Sequence, residues 1–173
     1  MIAPATVRWL QLLRSLTPAV SVLLVVVLAT MPLGVPHYSM VTPFFALIAV
    51  YFWGIYRPDL LPVWAVFLFG VLQDLLTGAP VGITALVLIL VWAVAVSQRR
   101  VVLVQSFGVE WVVFILVASG AGVFAWLVGS LYRNAFLWAD PFAIQTMLTA
   151  VLYPIFSWLL GQMARLTPPL QTG

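Results

Sequence analysis

Long apolar runs, broken only by short polar turns, leave this chain one environment to fold in: the lipid bilayer. Of its 173 residues, 65% are hydrophobic and only 6% are charged, and the mean hydropathy is +1.19. Soluble domains carry about 25% charged residues, so a water-facing surface cannot be built from this composition. A spanning helix takes about 20 apolar residues. The runs place spans near 18–35, 39–56, 60–77, 82–98, 107–131 and 141–164. The expected fold is an all-α integral membrane protein: six transmembrane helices in one bundle, a single membrane domain over 1–173 with a short cytoplasmic tail over 165–173.

Local chemistry marks the starts of these runs. Thr17-Pro18, Thr42-Pro43 and Asp140-Pro141 each pair a capping side chain with a proline tolerated in the first turn. Asp59 is expected to cap the third span, with Pro62 still in its first turn. Ahead of the first run, Trp9, Leu10, Leu12, Leu13 and Leu16 fall on one side of a helical wheel and Arg8, Gln11, Arg14 and Ser15 on the other. Residues 5–16 are therefore expected to form a short interfacial amphipathic helix. No small-x-small cleavage site follows the first run, so it is read as a retained span rather than a signal peptide.

The arginines orient the bundle. Arg8 and Arg14 precede the first run, Arg57 lies between the second and third, Arg99 and Arg100 between the fourth and fifth, and Arg165 after the sixth. With six spans all of these fall on one side, and Arg133 alone falls on the other. Positive residues stay in the cytoplasm, which puts both termini there. Tyr51, Trp53 and Tyr56 near one end of the second run fit an aromatic belt at the membrane surface. A net charge of +3 is no nucleic-acid footprint, and the absence of cysteine excludes disulfides and thiol chemistry.

One stretch stands apart, Gly70-Val71-Leu72-Gln73-Asp74-Leu75-Leu76-Thr77-Gly78-Ala79-Pro80-Val81-Gly82. A carboxylate inside an apolar segment needs a partner, water or a purpose. Asp74 lies about 21 Å of helix rise into the third run, toward its extracytoplasmic end. Gly70, Asp74 and Gly78 share one helical face at four-residue spacing. Three roles stay open: an ion pair with Arg133, a cap for the following turn, and a contact in a cavity or interface. Arg57-Pro58-Asp59 reads as a turn holding a local charge pair, with a binding elbow as the alternative. Glu110, in the first turn of the fifth span, suits the positive end of the helix dipole.

Small residues suggest where helices approach closely. Ala121, Ala125 and Gly129 recur every fourth position, with Ala118 and Gly122 beside them and Ser157 and Gly161 on the sixth span. Bundle packing is the plainer reading, and docking of a partner helix the sharper one. Pro154 should bend the sixth span. His37, the single histidine, sits in a turn and has no companions for a metal site. No nucleophile elbow, phosphate loop or paired acid appears, so neither an enzyme nor a cofactor is expected.

With these residues in view, the chain resembles the MreD family of rod shape-determining proteins. Pro36-His37-Tyr38, Thr42-Pro43, Tyr51-Phe52-Trp53 and Arg57-Pro58 carry part of the likeness. The rest lies in Gly70–Gly82, which is similar to the family's G-x-x-x-D-x-x-x-G-x-P-x-G signature at every specified position. The resemblance makes Gly70, Asp74, Gly78, Pro80, Gly82, Arg57 and Pro58 motif or partner-contact candidates. It implies a non-enzymatic scaffold or regulator in the bacterial inner membrane, supporting rod shape and lateral peptidoglycan synthesis. The implied direct partner is an MreC-like protein, alongside MreB, a RodA-type glycosyltransferase and a class B penicillin-binding protein. It also implies a fold like the membrane substrate-binding subunits of energy-coupling-factor transporters. The alternative function, a small-molecule-binding subunit of such a transporter, follows from that likeness. The spans offer few polar groups for such a pocket: Gln73, Asp74, Thr84, Ser119, Gln145 and Thr146.

Overall fold

The computed structural model describes residues 16–30, 43–133 and 140–165. Six helices occupy them: α1 Thr17–Thr30, α2 Phe45–Tyr56, α3 Val63–Thr77, α4 Ile83–Val102, α5 Phe107–Arg133 and α6 Asp140–Arg165. The amphipathic segment up to residue 15, the turn at Pro36-His37-Tyr38, Thr42 and the tail beyond Arg165 lie outside the described residues.

Three segments, Ile83–Val102, Phe107–Tyr132 and Phe142–Arg165, are long and apolar enough to cross a membrane. At 20 residues α4 already rises about 30 Å, the thickness of the hydrocarbon core. The helices α1, α2 and α3 are shorter, at 14, 12 and 15 residues. Trp64, Leu116, Met147, Ile155 and Trp158 are exposed. Outward apolar side chains of this kind suit lipid rather than water.

The middle of the molecule is α2. Ten consecutive residues, Ala46 to Ile55, are buried, and a helix apolar on every face belongs inside a bundle. Neighbours cover it on several sides. Trp53 donates its indole N–H to Ser21 Oγ of α1 at 2.8 Å, and Ser21 in turn donates to the Pro18 carbonyl at 2.8 Å. A Cβ added at Gly54 would come within 3.0 Å of Ala95 Cβ, so α4 lies close. Rings of α6 pack from a third side, with Phe45 and Phe156 centroids 5.1 Å apart and Tyr51 and Tyr153 5.8 Å apart.

This placement corrects the aromatic-belt expectation. Tyr51 and Trp53 are fully buried, and Tyr56 turns its hydroxyl to a carboxylate inside the bundle. Tyr51 and Trp53, enclosed by the neighbouring helices, present no surface to the headgroups. The cap expected from Asp59 is also absent. Pro62, in extended geometry, precedes α3 with no side-chain cap, while Asp59 pairs with Arg57 across 3.5 Å. The turn closed by the Leu60 N–H on the Arg57 carbonyl, at 3.1 Å, keeps Asp59 within its own loop.

Distant side chains complete several helix ends and gaps. Phe44 N–H, at the entry to α2, donates to Thr149 Oγ1 of α6 at 2.9 Å. Such first amides have no acceptor within their own helix. The Leu61 carbonyl, ahead of α3, accepts the Trp92 indole N–H at 3.0 Å. Inside α6, Pro154 lacks the N–H that would bond the Ala150 carbonyl four residues earlier. Trp111 of α5 supplies the replacement, its indole N–H 2.9 Å from that oxygen.

Candidate functional site

Among the described residues, two buried acids each gather a polar cluster, at opposite ends of the bundle. The first is the α3–α4 turn. Gly78 ends α3 in the left-handed region, φ 67° and ψ 19°, and sends its N–H back to the Asp74 carbonyl. The Ala79 N–H reaches the same oxygen at 3.0 Å. Glycine is the residue that takes this geometry without penalty. Ala79-Pro80-Val81 then reverses the chain to Gly82, again at positive φ, 104°.

That reversal brings the start of α4 over the Asp74 side chain. Oδ2 accepts the Gly82 N–H at 2.7 Å and Oδ1 accepts the Thr84 N–H at 3.2 Å. Asp74 is completely buried, and its charge faces the positive end of the α4 dipole. Of the roles left open by the sequence, the described contacts are those of a cap. The Arg133 side chain lies outside the described residues. One turn earlier, Gly70 lets α4 approach: a Cβ there would stand 2.7 Å from Ala85 N and 2.9 Å from Ala85 Cβ. Gly70, Asp74, Gly78, Pro80 and Gly82 are thus gathered in one turn. Arg57 and Pro58 are not among them, since they precede α3 and stand at its far end.

The second cluster escaped the sequence reading. Glu110, in the first turn of α5, is 5% exposed. Its Oε2 accepts the Tyr56 hydroxyl at 3.0 Å and its Oε1 accepts the Tyr153 hydroxyl at 2.5 Å. The Tyr153 ring stacks on Phe114 with centroids 3.9 Å apart, and Tyr51 packs edge-on against Phe114 at 5.1 Å. The Tyr51 hydroxyl is buried beside them, with no hydrogen-bond partner among the described residues. Three helices contribute here from positions 43 and 54 residues away from Glu110, so no local motif betrays the site. An acid opening a long apolar run, with tyrosines in two other spans, is the only trace in the sequence.

Next to Glu110 lies a cavity of about 660 Å³ between α2, α5 and α6, lined by Tyr56, Arg57, Ser157, Gly161 and Arg165 among others. Arg99 and Arg100 close the last turn of α4, joined to α5 by a short connection. The arginines of the described turns therefore collect at this end of the bundle.

The small residues divide between two environments. Ala118, Ala121 and Ala125 are buried, Gly129 is half-buried, and a Cβ at Gly122 would collide with Thr146 Oγ1 of α6. Ser157 is buried and donates to the Pro154 carbonyl at 3.1 Å. Gly161 differs, because a Cβ there would meet no atom within 4 Å. It borders the cavity rather than a neighbouring helix. Among the described residues no group of three or more His, Cys, Asp or Glu could hold a metal ion.

A protein-family model described as rod shape-determining protein MreD matches residues 10–163. No curated protein and no solved structure matches the chain.

Proposed function

Because the chain belongs to the rod shape-determining MreD family, and so has a role in rod-shape determination, we propose that it is a non-enzymatic inner-membrane scaffold or regulator of the cell-elongation machinery, supporting lateral peptidoglycan synthesis. The observation that carries this reading is the family match over residues 10–163 of the 173-residue chain. The geometry supports it from another side. Asp74 is engaged by two backbone amides and Glu110 by two tyrosine hydroxyls, so both buried acids serve the architecture.

In this reading all six helices belong to one bundle with both termini in the cytoplasm, in an arrangement like the substrate-binding subunits of energy-coupling-factor transporters. The collection of Arg57, Arg99, Arg100 and Arg165 at one end agrees with such an orientation. The direct partner is an MreC-like protein, with MreB, a RodA-type glycosyltransferase and a class B penicillin-binding protein in the same assembly. The Gly70–Gly82 turn offers a partner Leu75, Leu76 and Val81, which are 63%, 50% and 64% exposed. Asp74 would then hold the shape of that surface from inside.

Depletion in the native cell tests the proposal. Loss of rod shape and co-purification with an MreC-like protein are expected. Normal rods after clean depletion would falsify it.

A further inference from the structure

The cavity beside Glu110 is not accounted for by a scaffold role. Its volume of about 660 Å³ falls within the ~300–1,000 Å³ typical of small-molecule sites. From Pro154 to Arg165 its lining follows α6 for about 16 Å. The two ends of that wall differ chemically. Phe52, Pro154 and Trp158 make most of the inner part apolar, with Ser157 bonded to its own helix and Glu110 to its tyrosines, while Arg57 and Arg165 stand at the ends of α2 and α6. Trp158 is 67% exposed, so the apolar part borders the surroundings of the bundle, which for this chain are lipid. Gly161 leaves open space beside it.

The placement of the arginines at one end of the wall, rather than a net charge, selects the occupant. Glu110 keeps both oxygens on tyrosine hydroxyls and is nearly enclosed. Arg57 pairs with Asp59 yet lines the cavity, and Arg165 in the last turn of α6 is exposed. Guanidinium forks match phosphate oxygens, and basic pockets between membrane helices bind the head groups of anionic lipids. We propose that this cavity binds one anionic phospholipid from the leaflet at the arginine-rich end. Its phosphate lies between Arg57 and Arg165, and one acyl chain runs inward past Gly161 along Phe52, Pro154 and Trp158. The ligand is a bilayer lipid rather than a soluble phosphate, because the apolar wall extends well beyond the reach of a headgroup.

The full chain, purified in detergent, provides the test. Native mass spectrometry would compare retention of phosphatidylglycerol and phosphatidylcholine carrying the same acyl chains. Both lipids carry the phosphate, but the choline ammonium of phosphatidylcholine cancels its charge beside the arginines, so phosphatidylglycerol is expected to be held about tenfold more tightly. Arg165→Gln should erase that preference. Gly161→Leu, whose side chain enters open space, should lower retention of both lipids without lowering the melting temperature in lipid-free detergent. Added inorganic phosphate should not displace the lipid. Equal retention of the two lipids by the unaltered protein, retention unchanged by both substitutions, or displacement by phosphate alone would each overturn the proposal. Should Gly161→Leu fail to fold, the Arg165→Gln comparison still decides it.

Discussion

Asp74 acts on α4 as an N-cap does, but from eight and ten residues upstream. Its substitution therefore tests a hydrogen-bond role more than a charge role. Asp74→Asn keeps the shape but turns an NH2 group toward a backbone N–H, and should destabilise the protein by about 1–3 kcal/mol. Asp74→Ala, which loses both acceptors, should cost more. Thermal unfolding in detergent reads the order, and two unchanged midpoints would mean that these bonds contribute nothing net. Glycines offer a sharper contrast. Gly70→Ala drives a methyl against the Ala85 backbone and should cost about 1–3 kcal/mol. Gly161→Ala meets open space inside α6 and should be neutral or stabilise by up to about 1 kcal/mol. Equal effects at both positions would show that the α3–α4 crossing is not tight at Gly70. At this scale the sequence revealed the ingredients of the turn but not their wiring. Gly70, Asp74 and Gly78 sit visibly on one face, yet the choice between ion pair and cap depends on the reversal at Gly82. Glu110 hid further, because its tyrosines come from α2 and α6.

Each helix is readable from apolar runs, while its surroundings are not. The runs near 60–77, 82–98, 107–131 and 141–164 correspond to α3, α4, α5 and α6, with ends shifted by a few residues. Tyr51 and Trp53 look the same in sequence whether a run ends at the membrane surface or in the middle of a bundle. Only the enclosing helices distinguish the two, and those are set by long-range packing. The proline of α6 gives the clearest test of such packing. Trp111 donates to the carbonyl that Pro154 leaves without a partner, at a position where lipid offers no substitute. Trp111→Phe should therefore destabilise by about 1–3 kcal/mol. With Pro154→Ala already present, the restored helical N–H takes that carbonyl, and the penalty of Trp111→Phe should shrink. Unfolding midpoints of the four proteins form a double-mutant cycle. Strict additivity would show that the indole and the proline are energetically unrelated.

For the molecule as a whole, the expected observation is one of sidedness. The chain has no cysteine, so introduced thiols report without background. Val81→Cys, in the α3–α4 turn, and Gln105→Cys, between α4 and α5, both replace exposed residues. They should react with an impermeant maleimide from opposite faces of the membrane, Gln105→Cys from the cytoplasm. Labelling from the same face would contradict an α4 that spans. The alternation of arginines is the ground for this expectation. It could not show that one helix, α2, would be wrapped by the others. That enclosure bears on how the protein is made. The amide that opens α2 has its acceptor 105 residues later, on α6, and among the described residues Tyr51 finds its ring neighbours on α5 and α6. While the ribosome is still extending the chain, the centre of the bundle already exists but stands unclothed. A nascent chain stopped short of α6 thus leaves the Phe44 amide and one side of the Tyr51 ring without these partners, an unfinished core until the last helix arrives.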